Sequence, residues 1–174
     1  WQESGAMLAD AARALAAAGA DFLVVCTNTM HKVAGAIEAA VDIPLLHIAD
    51  PTAEAIAQAG LRRVGLLGTR FTMEEDFYRQ RLQAHHGIEA LVPPQDDRND
   101  VHRIIYDELC VGVISDDSRE IYRQVIARLV ERGAEAIILG CTEIGLLVGP
   151  RDSSVPLFDT AHLHARSAAL RALA

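Results

Sequence analysis

The chain lacks any cluster of lysine and arginine, and its net charge is -8 over 174 residues. Nucleic acid and anionic membrane surfaces are therefore excluded as expected partners. No apolar run approaches the roughly 18 residues a membrane-spanning helix needs. The first residues also lack the basic-then-apolar order of a signal peptide. Together these absences lead to the expectation of a soluble, cytoplasmic protein. Cysteine is scarce: Cys26, Cys110 and Cys141 make an odd set with wide gaps, neither a disulfide framework nor a close-spaced zinc pattern. Reduced thiols are the default. No metal site is expected either, because His85-His86 ends a helix pattern and His162-x-His164 would need ligands from elsewhere. No low-complexity linker divides the chain, and no initiator methionine precedes Trp1.

What is present is an ordinary globular composition, 51% apolar and 23% charged, with length enough for a sizeable core. The organising feature is an internal repeat. Phe22-Leu23-Val24-Val25-Cys26-Thr27 returns as Ala136-Ile137-Ile138-Leu139-Gly140-Cys141-Thr142. Each copy is a short, β-branched run that reads as a buried strand ending in Cys-Thr. Upstream stand Gly19-Ala20-Asp21 and Gly133-Ala134-Glu135; downstream stand Ile43-Pro44-Leu45-Leu46-His47 and Val155-Pro156-Leu157-Phe158-Asp159. Ligands bind at the carboxyl ends of parallel strands, so two such halves packed about a pseudo-twofold axis would bring both sulfurs to one cleft.

Between the copies the spacing predicts a helix opened by Asp50-Pro51 and closed by Gly60, a strand over Val64–Gly68, and a helix begun by the capping box Thr72-x-x-Glu75. A strand over Glu89–Val92, a Pro93-Pro94-Gln95-Asp96-Asp97 turn and a helix carrying Val101, Ile104, Ile105 and Leu109 follow. Asp117 should cap the next helix, and Thr160 the last. The opening helix, Ser4 to Ala18, is then the counterpart of the one ending at Gly133. The first half has no counterpart to the stretch from Arg63 to Ser118, and the expectation is of an N-terminally incomplete repeat.

Cys26-Thr27-Asn28-Thr29-Met30-His31-Lys32-Val33, together with Gly140-Cys141-Thr142-Glu143-Ile144-Gly145-Leu146-Leu147-Val148, resembles the two cysteine motifs of the aspartate/glutamate racemase family. Leu67–Met73 and Ile104–Leu109 are similar to that family as well, so the resemblance covers most of the chain. It implies an α/β fold of two similar lobes with mainly parallel sheets flanked by helices, the active site lying between them. The expected division is 1–47 plus 155–174 for the first lobe and 48–154 for the second. In relatives, the absent stretch would include a strand and a glycine-rich loop matching Leu67-Gly68-Thr69-Arg70. A homodimer is the family's common state.

The resemblance also implies the chemistry. One cysteine removes the α-hydrogen of an amino acid, aspartate or glutamate, and the other reprotonates the opposite face, with no pyridoxal phosphate or other cofactor. Cys26 and Cys141 are the expected acid and base. A free thiol ionises near pH 8.5, and helix N-terminal amides beside each sulfur should lower that value. Thr27, Asn28, Thr29, Thr69 and Thr142 are candidate donors to the substrate carboxylate. Glu143 stands where the glutamate branch carries histidine, which points to the aspartate-type or broad-specificity branch; it also reads as a solvated acid in a helix's first turn. A distal carboxylate needs a cation, and Lys32, Arg70, Arg103 and the absent segment all remain open. His31 and Lys32 are expected at the surface, and Cys110 in packing. Alternatives on the same scaffold are a hydantoin racemase, a diacid decarboxylase or isomerase, and a catalytically silent fragment.

Overall fold

A computed structural model describes residues 1–174. The chain opens with helix α1 (Gln2–Ala17), strand β1 (Leu23–Val24), a 3-10 turn (Thr29–Val33), helix α2 (Ala34–Glu38) and strand β2 (Leu45–Leu46). Then follow α3 (Ala49–Gln58), β3 (Arg63–Gly68), α4 (Arg70–Glu74), α5 (Asp76–His86), β4 (Glu89–Leu91) and α6 (Gln95–Asp107). A 3-10 turn (Leu109–Val111), α7 (Asp116–Glu131), β5 (Ala136–Gly140), α8 (Ile144–Leu147), a 3-10 turn (Pro150–Asp152), β6 (Leu157–Asp159) and α9 (Thr160–Ala172) complete it.

Every strand pairing is parallel: β1 with β2 in one sheet, and β4-β3-β5-β6 in the other. The α/β architecture expected from the sequence is therefore present. Helices cover both faces of the larger sheet. Val101, Ile104 and Ile105 of α6 and Tyr122, Val125 and Leu129 of α7 form one buried cluster with Ile137 and Leu139 of β5. Ile56 of α3 and Tyr78 and Leu82 of α5 pack on the opposite face against Val64, Leu66 and Ile138. The near-continuous apolar character of β3 and β5 follows from burial on both sides.

The internal repeat is a repeat of backbone geometry. Gly19 and Gly133, at φ 91° and 93°, end α1 and α7 in the left-handed conformation that glycine adopts without a Cβ penalty. In each half the residue after that glycine bonds back into the helix, Ala20 N–H to Leu15 O at 3.1 Å and Ala134 N–H to Leu129 O at 3.0 Å. In each half the strand then opens onto the proline strand, Leu23 N–H to Pro44 O and Ile137 N–H to Pro156 O, both at 2.9 Å. The halves differ at the next neighbour. β5 lies between β3 and β6, whereas β1 has β2 on one side only.

Several local expectations need correction. Asp50 does not cap α3; it lies inside that helix and receives two hydrogen bonds from the Arg81 guanidinium, at 2.6 and 2.7 Å. Thr72 is inside α4, whose cap is Thr69, and Glu75 opens α5 without a side-chain cap bond. Ser115 rather than Asp117 caps α7, accepting from Ser118 N–H. Asp159 rather than Thr160 caps α9, accepting from His162 N–H at 3.1 Å. Thr160 is thereby free to donate to Leu139 O at 2.9 Å, tying the start of α9 to the end of β5. The expected Pro-Pro-Gln-Asp-Asp turn is shorter, because α6 starts at Gln95 directly after Pro94. Strand β6, expected with the first lobe, hydrogen-bonds to β5 in the larger sheet.

Candidate active site

Strands β3 and β5 run side by side and end together at Gly68 and Gly140. A Cβ at Gly68 would lie 2.8 Å from Gly140 O, and one at Gly140 would lie 2.7 Å from Leu67 O. No side chain fits between those two strand ends, and the residues that follow, Thr69 and Cys141, project from one edge. The loop after β1 delivers Cys26 to the same place.

The result is a cleft of about 280 Å³ lined by Cys26, Thr27, Asn28, Thr29, Thr69, Cys141, Thr142 and Glu143. All eight residues singled out in the sequence are thus together, drawn from both sheets. Met30, Ile105, Tyr106, Cys110 and Gly140 complete the wall. The sequence reading missed the last turn of α6 as a wall, although Ile104–Leu109 was among the segments carrying the family resemblance.

The threonines join the two halves. Thr29 Oγ1 and Thr69 Oγ1 share a hydrogen bond at 2.9 Å, and Thr72 Oγ1 stands 3.4 Å from Thr29 and 3.3 Å from Thr69. Asn28 is buried and its Nδ2 donates to Thr160 Oγ1 at 2.9 Å, while its Oδ1 has no partner. A buried carbonyl oxygen without a donor is costly, about 1–3 kcal/mol, so this atom is a ready acceptor for a ligand N–H.

The two principal thiols differ. Cys26 is exposed and Cys141 half-buried. Cys141 Sγ donates to Glu143 Oε2 at 2.9 Å, and Thr142 Oγ1 donates to the same oxygen at 2.7 Å. Burial, the hydrogen bond to Glu143 and that residue's negative charge push the Cys141 thiol well above its ordinary value. This reverses the expected lowering by helix amides: α8 is a four-residue helix, and a carboxylate faces the sulfur instead. Burial works against the Glu143 carboxylate, but the bonds from Cys141 and Thr142 outweigh it and hold its pKa below the ordinary 4.5.

Cys110, expected in packing, is exposed on the cleft wall. Partial burial and then the charge of Glu143 push its thiol upward as well. Tyr106, on the same wall, stacks on His102 with ring centres 4.7 Å apart. None of the three cations considered for a distal carboxylate lines the cleft. Lys32 pairs with Glu75 and lies 4.0 Å over the Trp1 ring. Arg103 pairs with Glu108 at 3.1 Å, and the Arg70 guanidinium reaches Asn99 at 3.5 Å. His31, expected at the surface, is 3% exposed. No group of three or more His, Cys, Asp or Glu could hold a metal ion.

Comparison with known proteins places the fold and the family. The chain is similar to a structure from Yersinia pestis described as a putative Asp/Glu racemase, at 57% identity and a TM-score of 0.94, covering 100% of this chain and 76% of that one. A Pyrococcus horikoshii aspartate racemase homologue gives 37% identity and a TM-score of 0.86, over 98% of this chain and 74% of that one. Among curated proteins, the broad specificity amino-acid racemase RacX of Bacillus subtilis is 24% identical over 161 residues, 91% of this chain and 67% of its own length. The family model described as Asp/Glu/Hydantoin racemase matches residues 1–168, and the chain belongs to that family.

Proposed function

We propose that this site racemises an amino acid by a two-thiol mechanism, with aspartate and glutamate the first substrates to test. The observation that carries the reading is the meeting of Cys26 and Cys141, from two halves of a repeat, in one cleft with the six polar residues that the sequence points to. Names of relatives support the substrate class: the Pyrococcus horikoshii protein is an aspartate racemase homologue and RacX an amino-acid racemase.

In the resting site Cys141 is the acid, its S–H donating to the Glu143 carboxylate. Cys26, exposed and free of a carboxylate partner, is the base. The Cys26 thiolate takes the α-hydrogen as a proton, and the C–H electron pair moves to the α-carbon and its carboxylate. Cys141 then delivers its proton to the opposite face and becomes the thiolate, and exchanged roles run the reaction in reverse. Stabilising the carbanion falls to preorganised donors; the Thr27 hydroxyl and the outer hydroxyl of the Thr29–Thr69 pair serve the carboxylate, while the Thr142 proton is already donated to Glu143. Asn28 Oδ1, without a partner, suits the substrate ammonium. The sole lysine, Lys32, lies outside the cleft and is ion-paired, so the cleft presents no amine for a Schiff base.

Incubation in deuterated water should place deuterium at the α-carbon of aspartate or glutamate, followed by NMR. Cys26→Ser and Cys141→Ser should each abolish racemisation. Retained turnover in both single variants would refute the reading, and a panel including hydantoins and small diacids separates the family's other chemistries.

A further inference from the structure

Behind the cleft, three histidines are buried together, and the proposed reaction uses none of them. His31, His47 and His164 are each 3% exposed. The His31 ring lies 4.2 Å from that of His47 and 6.1 Å from that of His164, centre to centre. Each is wired to backbone. Ile48 N–H donates to His31 Nε2 at 3.2 Å, so that nitrogen carries no proton, and Nδ1–H is left to donate to Thr27 O at 2.8 Å. Ala49 N–H donates to His47 Nδ1 at 3.2 Å, and His164 Nε2–H donates to Leu46 O at 2.8 Å.

His31 is thus the one side chain joining the peptide next to Cys26 to the start of α3. Burial holds His31 neutral, with its pKa lowered to about 4. The charged groups facing the cluster, Arg81 and Asp50, neutralise each other as a pair.

We infer that His31 is a positioning residue: its Nδ1–H bond to Thr27 O, anchored by the Ile48 N–H bond to Nε2, sets the aim and reactivity of the Cys26 thiol. The inference rests on the reading of Cys26 as a reacting thiol, and its test reads that thiol directly rather than turnover. The amide nitrogen of Asn occupies the place of Nδ1, and the amide oxygen of Gln, with the carboxamide turned toward Ile48, takes the acceptor place of Nε2. His31→Asn therefore keeps the donor to Thr27 O, while His31→Gln loses it and keeps a partner for Ile48.

Alkylation of Cys26 by iodoacetamide, followed peptide by peptide with Cys110 of the same molecule as reference, should change in His31→Gln by about 3- to 10-fold, the loss of one hydrogen bond. In His31→Asn it should stay within about 2-fold. Equal effects in the two variants, or an unchanged Cys26 in His31→Gln, would overturn the inference and leave the histidine as packing. Nitrogen-15 NMR of the unaltered protein must also show the Nδ1–H tautomer of His31 near neutral pH; the Nε2–H tautomer would overturn it even if His31→Gln fails to fold. Where racemisation is measurable, His31→Gln should lower kcat about tenfold at unchanged KM, a misaligned base rather than weaker binding. Failure of the racemase reading shows separately, as exchange that survives Cys26→Ser while the alkylation result stands.

Discussion

Replacing Glu143 with glutamine keeps the side chain's shape and an acceptor oxygen near Cys141 but removes the negative charge. In the wild type the S–H to carboxylate bond at 2.9 Å is charge-assisted. A hydrogen bond to a charged group contributes about 1.5–3 kcal/mol and a neutral one about 0.5–1.5. The difference, about 1–1.5 kcal/mol, corresponds to roughly one pH unit. Burial, the largest cause that raises the Cys141 thiol, remains while the two causes that come from Glu143 are weakened, so its titration midpoint should fall by about one pH unit and stay above the ordinary value. The assay is the pH dependence of Cys141 alkylation, read by mass spectrometry in both proteins. Cys110 supplies an internal comparison. Glu143 raises it through charge alone, across a solvent-screened distance, so its midpoint should fall by less. A Cys141 midpoint that stays or rises, or a Cys110 midpoint that falls as far, would refute the assignment of the proton to this pair.

The same pair sets a dependence of stability on pH. Cys141 has a folded value above the ordinary 9.0, so its contribution is complete below that pH and is lost as pH rises toward the folded value. Glu143 is depressed below 4.5, so its share is present above that pH and is lost as pH falls through the folded value. Glu143→Gln should therefore flatten the wild-type melting temperature at both ends of the range.

Gly68→Ala places a Cβ 2.8 Å from the carbonyl oxygen of Gly140, which the paired strands hold in place. A loss of about 1–3 kcal/mol is expected, read as a lower urea midpoint; an unchanged midpoint would show that the strand ends spread. Asp50→Ala strands the Arg81 guanidinium in a partly buried position and should cost about 1–2 kcal/mol near neutral pH, between the values for exposed and buried pairs. Burial opposes the Asp50 carboxylate but its bonds to Arg81 outweigh it, lowering its pKa below 3.8, so the difference between variant and wild type should shrink as pH falls through the folded value. Cys110→Ser, at an exposed wall position, should leave the melting temperature unchanged and keep racemisation; loss of activity would make Cys110 a third reacting group.

Much of the site was legible because it follows from strand order. A β-branched run ending in Cys-Thr, twice, implies two parallel strands delivering two sulfurs to their carboxyl ends, and glycine and proline at matching positions carry the same hydrogen bonds in both halves. What the sequence does not carry is which group faces which across a gap in the chain. Asp50 reads as a cap from its neighbours, yet an arginine 31 residues away claims it. His31 reads as a surface residue of a short helical turn, yet α3 and α9 close over it. Cys141 should follow the rule that a thiol before a helix is acidified, and the rule fails because burial and then the Glu143 carboxylate, folded back onto the sulfur, both oppose the thiolate. For Asp50 and His31 the deciding contact comes from a distant part of the chain; for Cys141 it comes from two residues on, and only there is the sign of the expected shift reversed. The polarity of the proposed reaction, with Cys26 as base and Cys141 as acid, therefore rests on a local sequence difference and on how deeply each sulfur is buried. The two sulfurs differ in burial and in the second residue that follows each, Asn28 after Cys26 and Glu143 after Cys141, and Glu143→Gln tests the second difference directly.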